Sequence, residues 1–378
     1  MSVEIREVVS KRDLKKFIRF PYALYKNHPC WVPPLRFDEM NTLHKDKNPA
    51  FEVCDARYWL AYKDGKIAGR VAAIHNKPYV EKWNRSYLRF GWIDFIDDEE
   101  VSRALIDAVE GWARELGMAA VHGPLGFTDL DNEGMLVEGF DELGTLATIY
   151  NYPYYPEHLE KLGYKKDADW LEFQATVPDE IPDKIERLAQ QIMKKANLRL
   201  LKVKKRKELL AYTDQMFDVL DNAYSVLYGV VPLTRKQVEY YVKQYFGFVR
   251  PEYISMILNG EDRVVGFGVS MPSLSRALQR NRGRLFPFGF ISMLQALKSD
   301  ELIDLYLIGV EPEWQGKGVN VLVIYDILKS FVENKVHLVE SNPELEENYK
   351  VQRQWKYFDL RQHKRRRCFI KELTNPEE

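Results

Sequence analysis

The amino-acid sequence predicts an α/β protein with two domains of the same kind in tandem. Three observations support this prediction. The chain has 378 residues, which is enough for two packed domains. Residues 302–330 have the pattern of a strand, a turn and a helix, because an apolar run is followed by Gly316 and Gly318 and then by apolar residues at helical spacing. A hairpin signal occurs once in each half of the chain.

The two hairpin signals indicate an internal repeat. Lys66-Ile67-Ala68-Gly69 follows the first turn and Arg263-Val264-Val265-Gly266 follows the second, and each tetrapeptide opens a strand of small and apolar residues. The second turn contains Asn259-Gly260, which is a strong hairpin signal between apolar runs. A strand, a helix and a strand then follow each hairpin. We therefore predict an N-terminal domain over residues 1–178 and a C-terminal domain over residues 179–378.

The remaining elements follow in chain order from periodicity, caps and breakers. A capped helix is predicted at 10–17, and the proline-rich aromatic segment 20–43 is predicted to contain no single regular element. The rest of the N-terminal half shows patterns for a strand at 91–95, a helix at 101–116, a strand at 118–121, a helix that ends at Gly163 and a strand at 170–175. The C-terminal half shows patterns for a helix at 183–196, a strand at 198–203, helices at 207–227 and 235–245, the strand at 302–310, the helix from 319 and a strand at 336–339.

Composition limits the class of protein. The hydrophobic share is 46%, and 55 Lys and Arg residues are balanced by 56 Asp and Glu residues, so no global basic field favours nucleic acid as a partner. The three cysteines are scattered and show no metal-ligand spacing, as expected in a reducing cytosol. The N-terminal residues lack the apolar core of a signal peptide, and no apolar stretch of ~18 residues occurs. These features predict a cytoplasmic protein of enzyme size.

The turn between the strand at 302–310 and the next helix is a candidate anion site. It runs through Glu311-Pro312-Glu313-Trp314 into Gln315-Gly316-Lys317-Gly318-Val319-Asn320. Consecutive backbone N–H groups at such a turn, together with the positive end of the helix dipole, favour an anion such as a pyrophosphate. Glycine lets the backbone approach a ligand where a Cβ atom would intrude. The alternative is an ordinary glycine-bearing turn.

This turn resembles the motif Gln/Arg-x-x-Gly-x-Gly/Ala of the GNAT superfamily of acyl-CoA-dependent acyltransferases. The chain matches at Gln315, Gly316 and Gly318 and departs at Asn320, where Gly or Ala is usual. The resemblance implies that acetyl-CoA or a longer acyl-CoA is the co-substrate, with no metal, and that each domain is a mixed, mostly antiparallel twisted sheet flanked by helices. It assigns cofactor binding to Ile308, Val310, Gln315, Gly316, Lys317, Gly318, Val319 and Asn320.

The resemblance also implies where the catalytic groups lie. The attacking amine is acted on by polar residues at the end of the strand after the central helix, which makes Glu340 the leading general base and Asn342 its neighbour. The family's Tyr acid follows on the next helix. A pattern that starts at Asn348 places Trp355 there, so Tyr349 and Tyr357 are the nearby candidates.

The N-terminal domain lacks the glycine turn. After Phe95 it carries Ile96-Asp97-Asp98-Glu99-Glu100, whose carboxylates would repel phosphate. We predict that this domain is degenerate for CoA and that one chain binds one acyl-CoA. Its polar segment 123–140 contains Asp129, Asp131 and Glu133, which are candidate substrate-binding residues or general bases if the segment is not simply a surface loop.

Two basic segments leave alternatives open. The apolar insertion 285–297 follows Arg276, Arg280, Arg282 and Arg284. It is interpreted as an amphipathic lid that encloses an acyl chain or rests on a membrane surface, or as a helix packed on the core. The cluster 361–367 is interpreted as a site for nucleic acid, anionic lipid or cofactor phosphate, or as a solvated edge strand.

The function indicated by these features is transfer of an acyl group from CoA to a primary amine. The overall pattern also resembles bacterial GNAT-related proteins linked to N-acylation of long-chain lipid amines, including sphingoid bases. That resemblance implies a lipid amine acceptor, with a small-molecule amine as the other option, and peripheral contact with the inner membrane face. No nucleic-acid partner is expected. Two alternatives are a non-catalytic acyl-CoA sensor or scaffold and an aminoacyl-tRNA-dependent transferase.

Overall fold

The computed structural model describes residues 2–352 and 358–373. Its strands are β1 (Glu4–Glu7), β2 (Cys54–Lys63), β3 (Lys66–Asn76), β4 (Tyr87–Phe95), β5 (Ala120–Gly123), β6 (Met135–Glu138), β7 (Lys165–Thr176), β8 (Arg199–Leu200), β9 (Ile254–Leu258), β10 (Val264–Pro272), β11 (Leu302–Val310), β12 (Leu338–Ser341), β13 (Glu344–Leu345) and β14 (Asp359–Glu372). Its α-helices are α1 (Lys11–Leu24), α2 (Arg36–Thr42), α3 (Lys77–Trp83), α4 (Glu99–Glu115), α5 (Tyr154–Lys161), α6 (Asp183–Ala196), α7 (Arg206–Leu209), α8 (Thr213–Tyr224), α9 (Arg235–Tyr245), α10 (Ser275–Asn281), α11 (Gly289–Ala296), α12 (Val319–Glu333) and α13 (Tyr349–Gln352).

The chain forms two compact units, each assembled from separate stretches of sequence. The N-terminal unit consists of Met1–Leu171, Ser275–Phe290 and His363–Glu378, and the C-terminal unit consists of Glu172–Leu274 and Ile291–Gln362. The first unit therefore includes two segments from the C-terminal half of the chain. The predicted boundary between residues 178 and 179 stays a prediction about independently folding domains.

The N-terminal unit contains a mixed sheet in the order β1-β2-β3-β4-β5-β14. Neighbouring strands are antiparallel except β4 and β5, which are parallel. Helix α4 covers this sheet, because its apolar residues Leu105, Val109 and Trp112 recur on one face and are buried in the core. The register between β3 and β4 shifts next to Trp92, because β4 has one extra residue there and forms a bulge.

The C-terminal unit repeats this arrangement. Its sheet runs β8-β9-β10-β11-β12 and continues into the second part of β7, and only β11 and β12 are parallel. Helix α12 packs Val319, Leu322 and Val323 into a core with Ile257 and Val265. The strands β3, β4 and β5 of the first unit thus have counterparts in β10, β11 and β12 of the second. The predicted fold class is confirmed, because both sheets are mixed, mostly antiparallel and flanked by helices.

Helix α1 extends beyond the helix predicted at 10–17 and into the proline-rich segment. The helix continues through Pro21 to Leu24. Proline has no N–H to donate to the carbonyl four residues earlier, which is that of Phe17. The guanidinium of Arg70 donates to that carbonyl at 3.2 Å instead, so a side chain from β3 supplies the missing hydrogen bond.

The basic cluster near the C-terminus is part of a paired strand. β14 pairs with β5 and with β6, so the interpretation of residues 363–367 as a solvated edge strand was wrong. Lys364 and Arg366 are buried. Arg365 and Arg367 donate to the buried carboxylate of Asp169 at 3.1 and 2.8 Å. These two guanidinium groups are paired with carboxylates of the unit, Arg367 with Asp169 and Arg365 with Asp169 and Glu138.

Candidate functional site

A fork between two parallel strands lies at the centre of the C-terminal unit. β11 and β12 are paired from Leu302 and Leu338 to Leu305 and Ser341. β12 then ends, whereas β11 continues for five residues to Val310. Within residues 2–352 and 358–373, no strand pairs with this last part of β11 on the β12 side. The carbonyls of Ile308 and Val310 accept from the Tyr224 hydroxyl at 3.1 Å and the Gln315 amide at 3.3 Å, so this stretch of strand edge would serve an extended ligand chiefly through its N–H groups.

Asn342 holds the two strands at the point where they separate. Its backbone N–H donates to the carbonyl of Leu305 at 3.0 Å, and its side-chain amide donates to the carbonyl of Tyr306 at 3.1 Å. The predicted cofactor-binding residues Ile308 and Val310 lie beyond this point, where they are still paired with β10.

A bulge in β11 lies next to the fork. In the pairing of β10 with β11, Leu307 and Leu305 face consecutive residues of β10, so Tyr306 is the extra residue. Bulges redirect side chains and are common beside active sites. The Tyr306 hydroxyl lies 3.5 Å from the carboxylate of Asp304. Burial, reinforced by the negative charge of Asp304, raises the pKa of Tyr306 well above its usual range, so Tyr306 carries its proton at neutral pH.

Buried carboxylates surround this position. Asp304 on β11 is the register partner of Glu340 on β12, and the two side chains are 1% and 5% exposed. Glu172 on β7 is completely buried and has a carboxylate oxygen within 4.8 Å of one of Glu340. A carboxylate at this position can accept a proton from an ammonium group.

The glycine turn begins directly after the open end of β11. Gly316 and Gly318 have φ angles of 77° and 88°, values that favour glycine. A Cβ atom at Gly316 would meet nothing within 4 Å, so the backbone there faces open space. A Cβ atom at Gly318 would lie 2.7 Å from Ile192 of α6, so Gly318 also permits close packing of that helix. The Gln315 amide donates to the Val310 carbonyl at 3.3 Å and ties the turn to the strand.

The first turn of α12 is open to an external acceptor. Its N-cap is Gly318, which has no side chain to accept from the N–H groups of Val319 and Asn320, and no side-chain cap is present at this helix end. Lys317 is exposed, with its ammonium 5.0 Å from the Trp314 ring. A helix N-terminus with glycine backbone and a lysine is suited to bind phosphate groups.

The matching helix of the N-terminal unit is closed. Helix α4 is capped by Asp98, whose carboxylate accepts from the N–H groups of Glu100 and Val101 at 3.0 and 3.3 Å. The ammonium of Lys63 binds the same carboxylate. The unit's own side chains therefore satisfy the helix end that would have to bind a pyrophosphate.

The end of β4 is closed as well. The backbone N–H of Phe95 donates to the Tyr155 hydroxyl at 3.0 Å, and its carbonyl accepts from the Tyr154 hydroxyl at 2.7 Å. The hydroxyl of Tyr25 donates to Asp94 at 2.9 Å, and Arg70 donates to the other oxygen of Asp94 at 2.7 Å. Tyrosine hydroxyls thus bond both the N–H and the carbonyl of Phe95, whereas the bonds from Tyr224 and Gln315 to Ile308 and Val310 in the C-terminal unit are to carbonyls.

The three predicted acidic residues of segment 123–140 lie together in the N-terminal unit. Asp131 accepts from the backbone N–H groups of Phe127 and Thr128 at 2.9 and 3.2 Å, so it orders the loop. Burial raises the pKa of Asp131 to about 6. Burial, and next the charge of Asp129, raise the pKa of Glu133 to about 8, so Glu133 is mainly protonated at neutral pH. Their role in substrate binding stays a prediction.

The candidates for a general acid have different outcomes. Tyr349 is exposed at the start of α13. Tyr357 lies outside the described residues, as does Trp355. Asp304, Tyr306 and Glu172 belong to the fork but were missed as site residues from the sequence. A signal was present, because Asp304 is the single charge of β11 and Glu172 is the single charge of the strand predicted at 170–175.

Comparison with other proteins places this geometry among known folds. No protein-family model matches the chain. The chain is 29% identical to Protein YghO of Escherichia coli (strain K12) over 376 residues. This alignment covers 98% of this chain and 95% of that protein. The chain is 27% identical over 296 residues to the bacterial ceramide synthase of Caulobacter vibrioides (strain NA1000 / CB15N), which covers 77% of this chain and 75% of that protein.

Solved structures establish the fold. A tandem GNAT protein from the clavulanic acid biosynthesis pathway, described without AcCoA, matches with a TM-score of 0.57 and 11% identity over all of both chains. A probable N-acyltransferase of Enterococcus faecalis V583 matches with a TM-score of 0.53 and 8% identity, over 98% of this chain and 72% of that one. The predicted resemblance is confirmed, and the chain has the tandem GNAT fold.

Proposed function

We propose that this protein is an acyl-CoA-dependent N-acyltransferase whose active site is the fork of the C-terminal unit. The observation that carries the proposal is the fork itself, which combines an open strand edge, a buried carboxylate cluster at its base and a glycine turn at its far end. Each part supplies one requirement of acyl transfer from a thioester to an amine, and the fold is that of the GNAT enzymes.

The residues of the turn fit the pyrophosphate of CoA. The open space beside Gly316 would admit the phosphates, the first-turn N–H groups of Val319 and Asn320 would donate to their oxygens, and Lys317 would add positive charge. Backbone N–H groups of β11 between Leu307 and Val310 would hold the extended pantetheine chain by its amide carbonyls. The bound co-substrate supplies the activated acyl group.

The carboxylates fit the amine acceptor. Glu340 would take a proton from the ammonium, and the neutral nitrogen would attack the thioester carbon. A backbone N–H of β11 near Ile308 would stabilise the oxyanion. The C–N bond then forms as the C–S bond breaks. Tyr306 is protonated beside the fork and is our candidate donor of a proton to the departing CoA thiolate, whose ordinary pKa is about 8.5. The proton that the nitrogen loses as it becomes an amide would restore the Tyr306 hydroxyl.

The acceptor that we propose is a long-chain lipid amine. The 27% identical relative is a bacterial ceramide synthase, and this chain was matched to it over three quarters of its length. The alternative acceptor is a small polar amine, but no observation given above favours it.

The reaction is tested with purified protein, a series of acyl-CoA chain lengths and two acceptors, a sphingoid base and a small polar amine. We expect the thiol of CoA to be released only with the lipid amine. Glu340→Gln should reduce kcat by about 10²- to 10⁴-fold while acyl-CoA affinity stays within about twofold. Glu347→Gln, on the following exposed segment, is the matched control and should keep full activity.

Three results would count against the proposal, each in a different way. Unchanged kcat in Glu340→Gln would remove Glu340 as the base. Turnover of the small amine alone would remove the lipid acceptor. Acyl-CoA binding without turnover of any amine would favour the sensor interpretation.

A further inference from the structure

A loop of the N-terminal unit presents large aromatic side chains to solvent. In this Arg–Phe loop, defined as residues 280–290, Phe286 and Phe288 are 78% and 73% exposed and Phe290 is 43% exposed. The sequence left open whether this insertion packs on the core. These three rings do not. Isolated exposed apolar residues are common, but three neighbouring phenylalanines form a patch that calls for a contact.

The charged residues of the loop and of the sequence that flanks it are all basic. Arg276, Arg280, Arg282 and Arg284 are exposed, and from Arg263 to Ser299 the chain has no acidic residue. This is a strong local bias in a chain with 55 basic and 56 acidic residues. The loop is also close to other arginines. The pKa of Arg36 is lowered by burial and further by the positive charges of Arg284 and Arg19.

The loop is held in a fixed position in the same unit. The Gln279 amide donates to the carbonyls of Pro29 and Trp31 at 2.7 and 3.1 Å. The backbone N–H of Arg36 donates to the carbonyl of Gly283 at 3.0 Å. The Asn281 amide donates to the carbonyl of Gly289 at 2.9 Å, closing the loop on itself. These hydrogen bonds therefore fix the backbone that carries the exposed phenylalanine rings.

We propose that the Arg–Phe loop docks this protein on the surface of a bilayer that contains anionic phospholipid. Phenylalanines at an interface insert into the boundary between headgroups and acyl chains, while arginines stay at the level of the phosphates. Several exposed arginines in a stretch of sequence without acidic residues match an anionic surface, and the apolar rings distinguish a lipid surface from a purely electrostatic partner. The proposal does not depend on the reaction proposed above.

The experiment is flotation of the full-length protein with vesicles of phosphatidylcholine alone or of phosphatidylcholine with phosphatidylglycerol. We expect binding to the anionic vesicles that weakens as salt is added, and little binding to phosphatidylcholine alone. The double variant Phe286→Ser/Phe288→Ser should bind about tenfold or more weakly, because both rings are exposed and their removal leaves the core intact. Arg280→Gln/Arg284→Gln should weaken binding and flatten its salt dependence.

Matched controls are Val9→Ser, which removes an exposed apolar side chain of the same unit, and Arg103→Gln, which removes an exposed charge on α4. Both should bind as the wild type does. The proposal is overturned if the wild type does not bind anionic vesicles or if the phenylalanine variant binds equally well. It is also overturned if sedimentation shows that the loop joins two copies of the chain and the phenylalanine variant only separates them.

Discussion

Glu133 shows how its surroundings set the protonation state of a single carboxyl group. It lies half-buried in the N-terminal unit, and burial together with Asp129 raises its pKa to about 8 from an ordinary value of 4.5. The folded protein therefore binds this proton more tightly than the unfolded chain does. Between these two values the stability of the folded state falls as the pH rises, because the folded state must ionise a carboxyl that its surroundings keep neutral.

We predict that Glu133→Gln removes this pH dependence. Below pH 4.5 the variant and the wild type should have the same free energy of unfolding. Above pH 8 the variant should be more stable by about 1 to 3 kcal/mol, a range that allows for the partial exposure of the group. Urea unfolding at about pH 5 and about pH 9 measures the difference. Glu157→Gln, at an exposed position of α5, is the control and should change stability by about 0.5 kcal/mol or less at both pH values. Equal curves for wild type and Glu133→Gln at both pH values would contradict the prediction.

Single residues were predictable from the sequence where a motif gave their place. Glu340 follows an apolar strand, and Gly316 and Gly318 form part of a recognisable turn. Asp304 and Glu172 were not identified because their importance depends on register, which brings three strands together over a separation in sequence of more than a hundred residues. An isolated charge in an apolar strand is a usable signal, but it does not say which other charge lies beside it.

At the scale of elements, α12 and α4 show that the same position in a fold can be open or closed. The N-cap of α12 is Gly318, which leaves the first-turn N–H groups to an outside acceptor. The N-cap of α4 is Asp98, whose carboxylate accepts hydrogen bonds from two N–H groups of that helix. This contrast was predictable, because the acidic run after Phe95 and the glycine turn after Val310 are visible in the sequence. The closure of β4 by Tyr154 and Tyr155 was not, since it requires α5 to pack against that strand.

The turn before α12 is tested by a change of charge. Lys317→Glu places a carboxylate beside the proposed pyrophosphate site without altering a glycine, and we predict that it weakens acyl-CoA binding by about tenfold or more. Gly318→Glu is a poorer test, because its Cβ would meet Ile192 and could disturb the packing of α6. Lys329→Glu makes the same charge change at an exposed position near the other end of α12 and should alter affinity by less than about twofold. Isothermal titration with acetyl-CoA and a long-chain acyl-CoA measures both, and equal losses in the two variants would argue against a local phosphate contact.

At the scale of the whole molecule, the tandem repeat was the feature that the sequence predicted best. Both hairpins place a glycine opposite the end of the fourth strand of their sheet, since Gly69 pairs with Phe95 and Gly266 pairs with Val310. The discontinuous composition of the units was not predicted, because the segments 275–290 and 363–378 come from the C-terminal half of the chain. Membership of a segment in a unit depends on long-range packing, which periodicity along the chain does not report. Among the helices of residues 2–352 and 358–373, none combines the length and apolar composition that a membrane crossing requires.

The asymmetry between the units leads to a prediction about stoichiometry. In the C-terminal unit no side chain caps the start of α12, and the bonds from Tyr224 and Gln315 to the end of β11 are to carbonyls. In the N-terminal unit Asp98 caps α4, and Tyr154 and Tyr155 bond both backbone groups of Phe95. We therefore predict that one chain binds one acyl-CoA, measured by native mass spectrometry of the purified protein. Asp98→Ala should leave this number at one, because it opens the end of α4 while the tyrosines still occupy the edge of β4. Lys317→Glu should reduce occupancy. Two acyl-CoA molecules per wild-type chain would contradict the prediction. Occupancy that falls with Asp98→Ala but not with Lys317→Glu would place the binding site in the N-terminal unit. The mass of the bound species would also give the acyl chain length, and hence the kind of acceptor with which to test the reaction.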